Sequence, residues 1–165
     1  MTDHRHSALA YIGLGSNLAS PRDQLARAMA SLAALPVSER VAASSLYASA
    51  PVGPQDQPDF INAVVAVRTR LSPLALLDQL QAIEQRHRRV RHRHWGPRTL
   101  DLDLLWFAGL NCRFPRLTLP HPEMIHRRFV LEPLAEIAPT LSLGGELPGC
   151  LANRLEDQPL QRLSA

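Results

Sequence analysis

The sequence contains no lysine, and all 18 of its basic residues other than histidine are arginine. This absence excludes a Walker-type phosphate-binding loop and any mechanism that forms a lysine Schiff base. The two cysteines, Cys112 and Cys150, are too few for a metal cluster or a disulfide framework. No apolar run reaches the length of a membrane helix, and residues 1–7 lack the apolar core of a signal peptide. We therefore expect a cytoplasmic protein that does not bind membranes.

The positive charge that is present is concentrated in one segment. The formal net charge is only +3, yet six of the 18 arginines lie between residues 86 and 98. A local site for an anionic ligand fits this clustering better than a basic coat over the whole protein. A chain of 165 residues is expected to form one domain, residues 1–165, with its core over about residues 8–140.

Hydrophobic periodicity and turn residues predict the order β-α-β-β-α-β. The predicted strands are Ala8–Leu14, Val41–Ala48, Phe60–Arg70 and Thr99–Phe107. Helices are predicted to begin at Ser20-Pro21 and Ser72-Pro73, and a third helix, Glu123–Ala138, is expected to be interrupted by Pro133. This order predicts a ferredoxin-like α+β fold, an antiparallel sheet with helices on one face plus an extra C-terminal helix. Residues 141–165 have little periodicity and receive no role.

Asp101 and Asp103 alternate with leucines in the last predicted strand. Residues i and i+2 of a strand share a face, so both carboxylates should point outward with Cα atoms about 6.5–7 Å apart. Such a pair suits two Mg²⁺ ions about 3.5–4 Å apart that bridge a bound polyphosphate. The alternative is a half-exposed strand whose acidic residues are merely solvated or paired with arginines.

The arginine-rich run has an alternative explanation as the charged end of a helix. Arg86 and Arg88 fit it, since Glu84 and Arg88 are spaced for an ion pair and arginines favour a helix C-terminus. It does not account for the arginines that continue beyond, at positions 89, 91, 93 and 98. The run by itself is as typical of nucleic-acid binding as of nucleotide binding.

Aromatic and amide side chains follow a proline-rich loop. Phe60 and Asn62 share a strand face, and Trp95 lies among charged residues rather than in an apolar stretch. An aromatic platform beside an amide suits a flat heterocycle that forms hydrogen bonds. Gly13-Leu14-Gly15-Ser16-Asn17 lacks the third glycine of a dinucleotide fingerprint and is interpreted as a turn after the first strand.

Five segments in a fixed order together resemble the 6-hydroxymethyl-7,8-dihydropterin pyrophosphokinase family of folate biosynthesis. They are Gly13–Leu18, Pro51–Asn62, Arg89–Arg91, Trp95–Asp103 and Pro120–Phe129. The resemblance implies an enzyme that transfers pyrophosphate from ATP to 6-hydroxymethyl-7,8-dihydropterin, giving the pterin diphosphate and AMP.

The resemblance also implies roles for individual residues. Asp101 and Asp103 would bind two Mg²⁺ ions, and Arg89 and Arg98 would join them as catalytic residues. The set on the ATP side would be Gln81, Glu84, Arg89, Arg91, Arg98, Arg116, Thr118, His121 and Arg127. The pterin would contact Ser49, Val52, Phe60, Asn62, Trp95 and Phe129. Only small-molecule partners are implied, with a monomeric protein and no nucleic acid.

Two other functions compete with this interpretation. A ferredoxin-like RNA-binding module would use the arginine run, but the characteristic aromatic motif on its central strands is absent. A metal-dependent phosphodiesterase could use Asp101, Asp103 and His121 without a pterin. The sequence also departs from the family pattern at His92, where a lysine is expected, and at Pro122, where a tyrosine is possible.

Overall fold

The computed structural model describes residues 6–17, 20–50, 58–89 and 100–163, except the Arg89 side chain. The strands are β1 Ala8–Ser16, β2 Ser38–Ala43, β3 Tyr47–Ser49, β4 Phe60–Thr69, β5 Asp101–Phe107, β6 Cys112–Arg113, β7 Thr118–Leu119 and β8 Leu160–Arg162. The α-helices are α1 Pro21–Ala33, α2 Pro73–Arg89, α3 Arg128–Ile137 and α4 Pro148–Asn153, and a 3₁₀ turn covers Met124–His126. No helix in these described ranges is long and apolar enough to cross a bilayer.

The main sheet is antiparallel and has the order β5-β1-β4-β3-β8, with β2 also paired to β4. Strand β1 therefore lies between β5 and β4, and residues of β1 have a partner on each of these two strands. Strands β6 and β7 form a separate two-stranded ladder. The predicted ferredoxin-like α+β fold is confirmed.

Alternation along β1 divides the apolar side chains between two cores. Ile12 and Leu14 belong to a core that includes Leu25 of α1 and Leu80 of α2. Tyr11 points to the other face, where a second core contains residues of α3 and α4, among them Leu134 and Leu151. The two helices of the ferredoxin-like pattern thus share one face, and the C-terminal helices cover part of the opposite face.

Three predictions differ from the structure. The turn predicted at Gly13–Asn17 is strand as far as Ser16, because β1 pairs with β4 up to that residue. The strand predicted over Val41–Ala48 is divided into β2 and β3 at Ser44, whose hydroxyl accepts a hydrogen bond from the Val64 N–H at 2.9 Å. The third helix breaks at Arg127, whose backbone is extended (φ −123°, ψ 106°), and continues through Pro133 without interruption. Pro133 is buried, and packing of this helix against β4 compensates for the hydrogen bond that a proline cannot donate.

Residues 141–163, for which the sequence predicts no role, contribute to the sheet and to the second core. Helix α4 buries Leu151 and Ala152. Strand β8 pairs with β3, with Leu160 opposite Ser49 and Arg162 opposite Tyr47. This end of the chain therefore lies beside β3, at the edge of the sheet opposite β5.

Candidate active site

The two predicted metal ligands face a strip of sheet without side chains. Asp101 pairs with Gly15 and Asp103 pairs with Gly13 across the ladder between β5 and β1. On the other side of β1, Gly15 pairs with Asn62 of β4. Residues directly opposite in an antiparallel ladder point to the same face, so the glycines leave a gap between the carboxylates and Asn62.

This gap is the floor of a cavity of about 740 Å³. The described lining residues come from β1, β3, β4, β5, the start of α3 with the residues just before it, and the C-terminal segment. The lining residues are Gly13, Leu14, Gly15, Ser49, Ala50, Phe60, Asn62, Ala63, Asp101, Asp103, His126, Arg127, Arg128, Phe129, Val130, Asp157, Gln158 and Pro159. The cavity therefore brings together both predicted metal ligands, Arg127, and four residues predicted to contact the pterin.

Asn62 is buried and held in one orientation. Its Nδ2 donates to Ser49 Oγ at 2.8 Å and to the Tyr47 carbonyl oxygen at 3.4 Å. Its Oδ1 is directed toward Gly15, where a Cβ atom would lie 3.2 Å from it. Fixing the amide hydrogens on β3 thus orients the carbonyl oxygen over the floor of the cavity.

Glu84, predicted on the ATP side, lies against the outer edge of β5. Its Oε2 accepts the Leu102 N–H at 3.0 Å, so this carboxylate satisfies a backbone donor between the two aspartates. Burial raises the pKa of Glu84, and the charges of Asp101 and Asp103 raise it further, against the lowering effect of the Leu102 hydrogen bond. Three carboxylates are therefore close enough to interact electrostatically, which favours a bound cation.

The donor set fits magnesium held jointly with a substrate. Mg²⁺ keeps several waters and is usually bound by one or two carboxylates plus phosphate oxygens. Among the described residues, no group of three or more His, Cys, Asp or Glu side chains is arranged to hold a metal by itself. Asp101 and Asp103 supply the two hard oxygen donors that such a shared site requires.

His121 and Arg127 lie next to the aspartates. The backbone N–H of His121 donates to the Leu105 carbonyl oxygen at 2.8 Å, and the ring Nδ1 of His121 accepts the backbone N–H of Glu123 at 3.2 Å. Burial lowers the pKa of His121. The charge of Asp103 raises this pKa and the charge of Arg127 lowers it, and the net shift is downward. The imidazole is therefore neutral near pH 7. The Arg127 guanidinium carbon lies 5.8 Å from the centre of the Phe129 ring, within the range of a cation–π contact.

The remaining residues predicted on the ATP side occupy a neighbouring surface. Arg116 Nη2 donates to Asp78 at 2.6 Å and to Gln81 Oε1 at 3.0 Å. Thr118 is half-buried on β7. Among the described residues, Gln81, Glu84, Arg116, Thr118 and His121 are not part of the cavity wall. Val52, Arg91, Trp95 and Arg98 lie outside the described residues, and Arg89 is described only as the last residue of α2.

Sequence reasoning did not identify three groups of lining residues. The sequence predicts only a turn at Gly13 and Gly15, whereas the structure places both glycines in β1, where they leave one face of the strand open. His126 and Arg128 adjoin predicted residues. Asp157, Gln158 and Pro159 come from the segment without periodicity, and only the folded chain brings them to the cavity.

In a ferredoxin-like domain, the cavity combines paired carboxylates, an arginine and aromatic rings, which suits an enzyme that transfers a phosphate group to a flat heterocycle. The sequence model of the 7,8-dihydro-6-hydroxymethylpterin-pyrophosphokinase family matches residues 11–139. The chain belongs to this family.

Relatives support the assignment along most of the chain. A 2-amino-4-hydroxy-6-hydroxymethyldihydropteridine pyrophosphokinase of Pseudomonas aeruginosa is 54% identical, over 86% of this chain and 89% of its own length. The Haemophilus influenzae protein of the same name is 52% identical, over 81% and 84%. The Plasmodium falciparum HPPK-DHPS structure with pterin and p-hydroxybenzoate has a TM-score of 0.71. At 16% identity, over 92% of this chain and 43% of that one, it is similar in fold alone.

Proposed function

We propose that the cavity over β1 and β5 is the site at which the chain transfers pyrophosphate from ATP to 6-hydroxymethyl-7,8-dihydropterin, giving the pterin diphosphate and AMP. The reaction itself follows from membership of the family and from the relatives that carry its name. The observation that supports this location is the pairing of Asp101 and Asp103 with two glycines, in the same cavity as Asn62 and Phe129.

The pterin end of the proposed site is formed by β3, β4 and the start of α3. Phe60 and Phe129 supply aromatic surface for a flat ring, and the fixed Oδ1 of Asn62 accepts hydrogen bonds from the ring's N–H groups. Ser49 orients this amide and lines the same wall. Val52 and Trp95, which lie outside the described residues, complete the set by resemblance to the family.

Asp101 and Asp103 are proposed to hold two Mg²⁺ ions together with ATP. Magnesium bound there supplies positive charge against the phosphate oxygens and against charge that develops during transfer. Strand β5 keeps the two carboxylates on one face, and Glu84 fixes the backbone between them through Leu102. Glu84 therefore acts in this proposal by positioning β5.

Arginines supply the remaining charge on the phosphates. Arg127 lines the cavity, and we assign to Arg89 and Arg98 the catalytic contacts that the family resemblance implies. Neutral His121 contributes a hydrogen bond rather than a charge near pH 7, because burial lowers its pKa. Gln81, Arg91, Arg116 and Thr118 complete the proposed nucleotide side.

The proposal includes a monomer that acts on small molecules in the cytoplasm, without nucleic-acid or membrane partners. The RNA-binding module and the phosphodiesterase considered from the sequence receive no support from the family comparison. Both alternatives predict behaviour that the proposed enzyme lacks, namely salt-sensitive RNA binding or hydrolysis without a pterin.

The test is AMP production from ATP and Mg²⁺, with and without 6-hydroxymethyl-7,8-dihydropterin. We expect AMP only when the pterin is present, together with a diphosphorylated pterin detected by mass spectrometry. Asp103→Asn keeps the shape of the side chain but removes its charge, so kcat should fall about 10²–10³-fold, as when a preorganised electrostatic group is lost.

Asp23 of α1 provides a matched control, since it is an exposed aspartate on a helix away from the cavity wall. Asp23→Asn should leave turnover unchanged. AMP formed without pterin, or full turnover by Asp103→Asn, would refute the proposed site.

A further inference from the structure

The residues that follow α4 form one wall of the proposed active site. We call residues 157–163 the C-terminal strap. Its first three residues, Asp157, Gln158 and Pro159, line the cavity, and its remainder includes β8, which pairs with β3. The same strand β3 ends at Ser49, which also lines the cavity. The strap is therefore continuous with the pterin end of the site.

Gln158 connects the strap to the segment that precedes α3. Its Oε1 accepts the Arg128 N–H at 2.9 Å, and its Nε2 donates to the His126 carbonyl oxygen at 2.9 Å. Its own carbonyl oxygen accepts from Arg128 Nη1 at 2.8 Å. One side chain thus binds the backbone on both sides of Arg127.

The segment around Arg127 joins the 3₁₀ turn to α3. Arg127 has an extended backbone there; its N–H donates to the Met124 carbonyl oxygen at 3.3 Å, and its carbonyl oxygen accepts the first N–H bonds of α3. The Arg128 N–H is one of the first N–H groups of α3, which have no partner within the helix. Gln158 supplies that partner from a distant part of the chain. Arg127 and Phe129 flank this N–H, and both line the cavity.

We propose that Gln158 is a positioning residue for pterin binding, because it holds the Arg127–Phe129 wall against the cavity. The inference rests on the proposed function and extends it to a residue outside the region matched to the family, which ends at residue 139. Holding the wall in its binding conformation before the substrate arrives raises affinity, since less ordering is left for the binding step.

The strap has a second attachment that does not depend on the Gln158 side chain. Glu136 of α3 accepts hydrogen bonds from the Ser45 N–H, the Ser45 hydroxyl, the Tyr47 hydroxyl and Arg162 Nη2, at 2.6–3.0 Å. Burial and the Glu136 hydrogen bond raise the pKa of Tyr47 to about 12, so the phenol remains a donor. With β8 anchored in this way, removing the Gln158 amide should loosen the wall without detaching the strap.

The experiment compares Gln158→Ala and Gln158→Glu with Gln161→Ala in steady-state assays that vary each substrate separately. Gln161 is an exposed glutamine of β8 and provides the matched control. For Gln158→Ala we expect the KM for the pterin to rise about five- to tenfold, the factor that follows if the competent conformation falls to about 10–20% of the population. The KM for ATP should rise less than the KM for the pterin, because Arg127 is only one of the groups proposed to bind ATP. The kcat should stay within about twofold, because Asp101 and Asp103 lie on β5 and keep their positions.

Gln158→Glu retains an acceptor for the Arg128 N–H but loses the donor to the His126 carbonyl, so its pterin KM should rise less. Gln161→Ala should match the wild type, and thermal unfolding should show all three variants folded. Equal losses in kcat and in both KM values, or a wild-type pterin KM in Gln158→Ala, would overturn the inference. Wild-type protein that makes no AMP would instead refute the proposed function itself.

Discussion

At the scale of single residues, the shape of the site depends on two glycines, which have no side chain to fill the floor of the cavity. Gly13 and Gly15 lie opposite the aspartates, and any larger residue would project into the floor of the cavity. The two positions are not equivalent. A Cβ on Gly13 would lie 3.5 Å from Leu105, an ordinary packing distance, whereas one on Gly15 would lie 3.2 Å from Asn62 Oδ1.

This difference predicts unequal effects of the same substitution. Gly15→Ala should raise the KM for the pterin about tenfold, because the methyl group displaces the Asn62 oxygen by a few tenths of an ångström and weakens hydrogen bonds of about 1 kcal/mol each. Gly13→Ala fills space near Asp103 without touching Asn62, so it should change the pterin KM about twofold or less. Separate KM values for ATP and pterin provide the measurement. Equal pterin KM values in the two variants would show that Asn62 does not bind the ring.

The chemistry of the floor could be predicted from the sequence, but its shape could not. The alternation of Asp101 and Asp103 with leucines correctly places both carboxylates on one face of a strand. Their pairing with glycines depends on the register between β1 and β5, which are about 90 residues apart in the chain. Local patterns carry no information about which residue faces which across such a separation.

At the scale of elements, α1 and α2 are joined by a buried polar contact at the end of the arginine-rich helix. His87 Nδ1 and Gln24 Oε1 are 2.9 Å apart, and both residues are buried. Burial lowers the pKa of His87, and the charges of Arg27 and Arg86 lower it further. The imidazole is therefore neutral in the folded protein at pH 7.

A pH dependence of stability follows from this contact. The folded pKa of His87 lies below its unfolded value of about 6.5, so the unfolded chain takes up a proton first as the pH falls. The stabilising contribution is complete above about pH 6.5 and decreases as the pH falls from there toward the folded pKa. Denaturant unfolding between pH 7.5 and about 5 should show the free energy of unfolding decreasing.

His87→Gln removes the titrating group but keeps a side chain that can bond to Gln24, so the decrease should become smaller. His121, whose pKa burial also lowers, should still contribute a decrease, while Glu84, whose pKa is raised, acts in the opposite direction as the pH falls through its pKa. His6→Gln, at an exposed position, is the control and should follow the wild-type curve. If the free energy of unfolding of His87→Gln decreases with pH as steeply as that of the wild type, protonation of His87 does not cause the decrease.

Element boundaries were predictable where local chemistry determines them. Ser72 Oγ accepts the Ala75 N–H at 3.2 Å, so the predicted start of α2 has the hydrogen bond that the Ser-Pro signal implies. Local patterns do not predict the division between β2 and β3, because the Ser44 hydroxyl accepts a hydrogen bond from Val64, which lies 20 residues away. The sequence does not predict strand β8, because a strand of three residues is too short to show periodicity.

At the scale of the whole molecule, the charge at the floor of the cavity is opposite in sign to the net charge of the protein. The chain carries a net charge of +3, but the floor of the cavity holds Asp101 and Asp103 with Glu84 close by. These carboxylates repel the phosphates of a metal-free nucleotide, and magnesium reverses the sign of that interaction. Nucleotide binding at this site should therefore require the metal even though the protein as a whole is basic.

Removing the metal should expose this dependence in the stability of the protein. A non-hydrolysable ATP analogue with Mg²⁺, at about 100 times its Kd, should stabilise the folded state by about 2.7 kcal/mol. With EDTA replacing Mg²⁺, we expect most of this stabilisation to disappear, because the analogue then meets the uncompensated carboxylates. Thermal or denaturant unfolding measures both conditions, with EDTA alone as the control for the free protein.

The variant Asp103→Asn separates the carboxylates from the arginines as the source of this effect. With one carboxylate charge removed from the protein, we expect the analogue to bind more weakly in Mg²⁺. Replacing Mg²⁺ with EDTA should then reduce the remaining stabilisation by less than in the wild type. Asp23→Asn, at the exposed position on α1, should behave as the wild type in both conditions. If EDTA leaves the stabilisation of the wild type intact, the arginines bind the phosphates by themselves. Asp101 and Asp103 would then have no part in holding a metal with the nucleotide, which makes this measurement a direct test of the site.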